Sequence, residues 1–171
     1  MKIVASLVAV TALLVAAAPA KAALNAYLLV TGAKQGKFKG TGRSKSGKIE
    51  VSDFRYGIVS PRDPQSGLPT GQRMHKPIIM TISAADGREF QTALKTNENL
   101  PAVQILFWRP SSAGKIEQYE TLNLKDATVV KIEMRKSSGR QTSDMQITLN
   151  YQKIESSYSR GKVQAADDWK Q

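Results

Sequence analysis

Apolar and polar residues alternate with a period of two through most of this chain, and no other feature restricts its fold as strongly. Leu24, Ala26, Leu28 and Val30 share one face of a first strand, which Gly32 closes. A second strand runs from Lys48 to about Ser60, with Ile49 and Val51 on one face. Its phase then slips to Phe54, Tyr56 and Ile58. A one-residue slip turns a strand inside out unless an extra residue is absorbed, so a β-bulge is predicted near Ser52-Asp53. Further strands follow over Ile78–Ile82, Val103–Phe107, Gln118–Leu124, Thr128–Met134 and Met145–Tyr151. The face of the sixth is read as Thr128, Val130, Ile132 and Met134. The last two strands are expected to pair as a hairpin through the polar turn Lys136–Ser143. One short helix is expected from Asp86 to about Asn97. Asp86 would cap it, Glu89 would complete a capping box, and Phe90, Ala93 and Leu94 would form its apolar stripe. Seven strands and one helix predict a mostly β protein, an antiparallel barrel or sandwich.

Two segments stand outside the alternation. Lys2 precedes a long, mainly apolar run from Ile3 to Ala18, and Ala20-Lys21-Ala22 follows it. A positive start, an apolar middle and a small-x-small ending are the parts of a secretory signal. Residues 1–22 are therefore read as a signal peptide and 23–171 as one β-rich domain, exported to the periplasm or beyond, with no membrane span once the signal is removed. The second segment is Ser60 to Pro77, where four prolines and two glycines exclude regular structure through most of its length. Loops this long inside a compact domain are usually functional or disordered.

The formal charge is +11, and +9 without Lys2 and Lys21 of the signal. Such a surface favours acidic partners. The chain has no cysteine, which removes disulfides and cysteine metal sites from consideration despite an oxidising destination. No cofactor is implied. The single histidine, His75, has no second histidine or G-x-S-x-G elbow beside it, and reads as a surface or hinge residue. The acids are scattered, apart from Asp167-Asp168, and no metal-binding spacing is present. A basic patch is visible at Lys34, Lys37, Lys39, Arg43, Lys45 and Lys48. With Phe38, Tyr27, Phe54 and Tyr56 it has the ingredients of a nucleic-acid platform, although a solvated loop beside buried strand aromatics is the simpler reading.

Several separated stretches resemble the Hcp (haemolysin-coregulated protein) family, the inner-tube subunits of type VI secretion systems. They are Asn25-Ala-Tyr-Leu with the Gly-x-Lys-Gln-Gly of residues 32–36, then Ile49–Ile58 leading into Ser60-Pro-Arg-Asp, Ser66-Gly, Pro69-Thr-Gly and His75-Lys-Pro. Asn97-Glu-Asn-Leu, Tyr119–Leu124, Tyr151-Gln-Lys-Ile and Ala166-Asp-Asp-Trp follow in the family's order. The resemblance implies an antiparallel β-barrel of two packed sheets with one short helix. It also implies a non-enzymatic protein that forms homo-hexameric rings, able to stack into a tube and to bind spike proteins and small effectors. Arg62, Asp63, Gln65, Leu68 and Met74 of the long loop become candidates for ring-to-ring contact. Two departures stand out. Tube subunits of this family are expected without a cleaved signal, and many relatives carry Asp-Lys-x-Ser-Pro where this chain has Ser83-Ala-Ala-Asp-Gly-Arg-Glu-Phe. The competing expectation is an exported basic binding domain that uses the same fold to engage an acidic ligand or envelope polymer.

Overall fold

A computed structural model of the chain describes residues 25–40, 47–136, 142–159 and 163–168. The signal segment, Arg43, Lys45 and Trp169 lie outside the described residues. The strands are β1 (Asn25–Gly32), β2 (Gly36–Lys37), β3 (Ile49–Arg55), β4 (Ile58–Val59), β5 (Met74–His75) and β6 (Ile78–Ser83). After a 3-10 turn (Ala84–Gly87) and helix α1 (Arg88–Lys95) come β7 (Asn99–Pro110), β8 (Ile116–Arg135), β9 (Asp144–Asn150), β10 (Lys153–Tyr158) and β11 (Val163–Asp168). The hydrogen-bonded order β8-β7-β1-β3-β6-β9 returns to β8, so the sheet closes on itself as an antiparallel barrel. β10 and β11 continue outward from the N-terminal half of β8.

The alternation read from the sequence sets the inward face. Ala26, Leu28, Val30, Ile49, Val51, Ile78, Met80, Ile82, Val103, Ile105, Met145, Ile147 and Leu149 are all buried in one core. The register of β3 against β6 shifts between Val51 and Asp53, where the phase slip predicted a bulge. Phe54 then turns back toward the core and meets Phe107 edge-on at 5.2 Å. The strand stops at Arg55, however, and Tyr56 and Ile58 are exposed instead of continuing the buried face.

Other expectations need correction. The strands expected over Gln118–Leu124 and Thr128–Met134 are one 20-residue strand. Asp126 at φ 49 and a register shift between Val129 and Lys131 let β8 exchange β10 and β7 for β9 without ending. Those irregularities also change the phase, so Ala127 and Val129 face the core while Val130 and Met134 are exposed. The C-terminal hairpin β10–β11 had no counterpart in the alternation. It rides on β8 and buries chiefly Ile154, too little apolar material to leave a periodic signal.

The helix begins at Arg88 with Gly87 at its cap, and no side chain caps it. Asp86 lies inside the preceding 3-10 turn. Packing explains the change: a Cβ on Gly87 would collide with the sulfur and methyl of Met145, so the turn follows the core. The Glu89 carboxylate accepts from the Lys39 backbone N–H at 2.9 and 3.0 Å. Phe90 is fully buried and meets Phe38 edge-on at 5.0 Å, which fastens the helix against the core. Burial of such a ring stabilises by about 1.5–3 kcal/mol. After the helix, Asn97 at φ 48 turns the chain and Glu98 is buried. Its carboxylate accepts from the N–H groups of Lys34 (2.6 Å) and Gln35 (2.8 Å) and from the Gln35 amide (2.8 Å). The backbone donor of Gln35 is the main reason its carboxyl is held below the usual range.

Candidate functional site

Between β3 and β6 the chain leaves the barrel as a projecting arm, residues 56–77. Pro and Gly prevent a continuous ladder, yet the arm is an ordered, two-legged hairpin. β4 pairs with β5 at its root, and Lys76 N–H donates to Gly57 O at 2.9 Å. Farther out, Arg62 bridges Pro69, Thr70 N–H reaches Pro61 O at 3.1 Å and Asp63 N–H reaches Leu68 O at 2.9 Å.

The tip is fixed by Asp63. One oxygen of its carboxylate accepts from Gln65 N–H (3.0 Å), Ser66 N–H (2.7 Å) and the Ser66 hydroxyl (2.9 Å). These donors, Ser66 first, hold the carboxyl below its usual range. Arg62 Nη1 closes the turn on Gly67 O at 3.0 Å. Asp63 therefore builds the tip, while Gln65 and Leu68 are what the tip presents. The structure brings Arg62, Asp63, Gln65 and Leu68 together there, and places Met74 at the root in β5. Among the described residues, Tyr56, Ile58, Leu68 and Met74 are four of the seven large apolar side chains left exposed, so apolar exposure concentrates on this arm.

The root is braced by residues that the sequence does not connect. His75 was expected at the surface or a hinge; it lies at the arm's hinge but is buried. Its Nε2 lies 3.2 Å from the Asp167 carboxylate and its Nδ1 3.1 Å from the Tyr151 hydroxyl. A carboxylate only accepts, so Nε2 carries the proton toward Asp167, and in the neutral ring Nδ1 accepts from Tyr151. Arg73 adds a 3.6 Å ion pair to the same carboxylate. Tyr56 hydrogen-bonds Tyr151. Burial, foremost, and then the neighbouring Tyr56 and Asp167 push the Tyr151 hydroxyl far above the ordinary tyrosine range. Arm, barrel and C-terminal strand thus meet in one network. Tyr151 and Asp167 lie 76 and 92 positions from His75 in the chain, and no local motif marks that pairing.

Beside this network opens a cleft of about 550 Å³. Phe54, Tyr56, Ile58, Phe107, Leu122 and Ile154 give it apolar walls, and Arg73, Glu120 and Asp167 add charge.

Phe38 is buried in the core, and Phe54 packs against it. The backbone N–H groups of Lys34 and Lys39 serve Glu98 and Glu89, and Lys37 lies in β2. The Lys48 ammonium sits over the rings of Trp108 (5.1 Å) and Tyr27 (6.0 Å) as a cation–π contact. Among the described residues, no three His, Asp or Glu side chains gather as metal ligands, and no helix is long and apolar enough to cross a membrane.

The described residues thus form a closed antiparallel barrel with one side helix, one ordered arm and a C-terminal hairpin. Residues 27–158 match the family described as "Type VI secretion system effector, Hcp", and the chain belongs to that Hcp family. It is 31% identical over 166 residues to the "Major exported protein" of Pseudomonas aeruginosa, covering 86% of this chain and 96% of that one. Among solved structures it resembles an Hcp protein with 26% identity and a TM-score of 0.78, over 84% of this chain and 98% of the other. The secreted protein Hcp3 of Pseudomonas aeruginosa matches with 27% identity and a TM-score of 0.72, over 86% and 99%.

Proposed function

We propose that this protein is an exported structural subunit of a type VI secretion apparatus that acts by self-association and not by catalysis. Its subunits form hexameric rings, the rings stack into a tube, and spike proteins and small effectors are its partners. The arm supplies the ring-to-ring contact through Arg62, Gln65, Leu68 and Met74, with Asp63 setting the tip's shape. One observation carries this reading: an arm ordered by its own hydrogen bonds holds a 64% exposed leucine away from the core. Such an arrangement suits a head-to-tail contact, which needs a protruding element and a receiving surface. Family membership and the name of the exported relative from Pseudomonas aeruginosa support the same reading. The reading of residues 1–22 as a signal supports work outside the cytosol.

Light scattering on the chain from Ala23 to Gln171, across a series of concentrations and salt, tests the assembly. A mass near six subunits is expected. A monomer under every condition overturns the ring reading, and binding to an acidic polymer then becomes the leading account of the basic surface.

A further inference from the structure

The arm's role as a contact element is the reading just given; what receives it is a separate question that the cleft at its root answers. We propose that this cleft accepts the arm tip of a second copy of the chain, with Leu68 as the inserted side chain. Leu68 projects from a turn already fixed by the Asp63 carboxylate and by Arg62, so little freedom is lost when it is captured. The cleft, at about 550 Å³, lies in the size range of pockets that enclose apolar groups. Its walls are Phe54, Phe107, Leu122 and Ile154 from the barrel side and Tyr56 and Ile58 from the arm.

Charge points to the same occupant. Arg73, Glu120 and Asp167 line the cleft; Arg73 and His75 already engage Asp167, which leaves Glu120 as the acid to meet Arg62 of the tip, where Asp63 is held by three donors of its own turn. In a chain this basic, an acid-bearing apolar cleft suits a copy of the chain itself. The layout also fits. Knob and socket occupy the two ends of one arm, seven residues apart from Leu68 to His75, at most about 23 Å at strand rise. A contact between two different patches is heterologous, so each copy offers one knob and one socket and the series stays open at both ends.

The absence of cysteine makes the test direct. Leu68→Cys and Ala165→Cys, both at exposed positions, are prepared as separate proteins, mixed and oxidised mildly. The mixed disulfide dimer is expected in clear excess over a control pairing of Leu68→Cys with Lys131→Cys. The double variant Leu68→Cys/Ala165→Cys is expected to give a ladder of higher species. Leu68→Ala is expected to weaken stacking by about 10- to 100-fold, and Ala165→Trp, which fills the cleft, to abolish it. Tip–cleft cross-linking no better than the control overturns the proposal. If the mass is then still near six subunits, the ring reading survives without this socket; if the protein is also monomeric, both fall. Specific cross-linking without a six-subunit mass keeps the socket and removes the hexamer.

Discussion

Replacing Tyr151 with phenylalanine keeps a buried ring and removes a single oxygen, which isolates the brace at the root of the arm. The ring is 4% exposed and meets His75 edge-on at 5.9 Å, contacts that Tyr151→Phe retains. The change removes the hydroxyl 3.1 Å from His75 Nδ1 and bonded to Tyr56. Loss of a partner from a buried polar group costs about 1–3 kcal/mol. Tyr56 is 37% exposed and exchanges its lost bond for water, so the imidazole carries most of the penalty. In a domain of this size each kcal/mol moves Tm by about 2–4 °C, giving an expected fall of about 2–12 °C. Thermal and urea unfolding measure it, with the urea slope unchanged because the surface exposed on unfolding is the same. Asp167→Asn weakens the other side of the same ring. If both act through His75, the double variant loses less than the sum of the singles by about 0.5 kcal/mol or more. A Tm within about 1 °C of the parent, or strict additivity, refutes the idea that the network braces the arm.

Three further outcomes follow from the same contacts. The Tyr151 pKa is raised on folding, so its contribution is complete below the unfolded tyrosine value of about 10 and is lost as pH climbs toward the folded value. Urea midpoints should therefore fall from about pH 10 upward, less steeply in Tyr151→Phe than in the parent. Glu98 is depressed on folding, so its contribution is present above the unfolded value of about 4.3 and is lost as pH falls through the folded one. Glu98→Gln should flatten the acid limb of stability between about pH 5 and 3, and an unchanged limb would remove Glu98 from the account. Gly87→Ala should destabilise by about 1–3 kcal/mol through collision with Met145, and a neutral result would mean that the methionine has room to move.

The barrel strands were readable where a burial pattern recurs every second residue, as in Ala26-Leu28-Val30 and Met145-Ile147-Leu149. Even the bulge before Phe54 was readable, because a slip of phase is itself a periodic signal. What escaped was set by tertiary packing. Lys125-Asp126 looks like a turn, yet β8 passes through it with one residue at positive φ. Asp86 looks like a helix cap, but the fit of Gly87 against Met145 decides where the helix begins. The long loop was recognisable from its prolines; the Asp63 turn and the His75–Tyr151–Asp167 brace were not, since they depend on side chains placed by the finished fold.

The place of β1 between β7 and β3 has a consequence for how the chain is made. Strands β7 to β11 follow one another largely as antiparallel neighbours, so their pairings can form soon after each segment appears. β1, in contrast, pairs with β7 at sequence separations of 71 to 83, from Thr31 with Ala102 to Asn25 with Trp108. At translation speeds of about 5–20 residues per second, roughly 4–17 s pass before its main partner exists. During that interval the strand carrying Ala26, Leu28 and Val30 has the short β2 and β3 pairings to hold it. The first strand synthesised is thus secured only once the middle of the chain exists, and barrel closure waits longer still, for β9 near the C-terminal end.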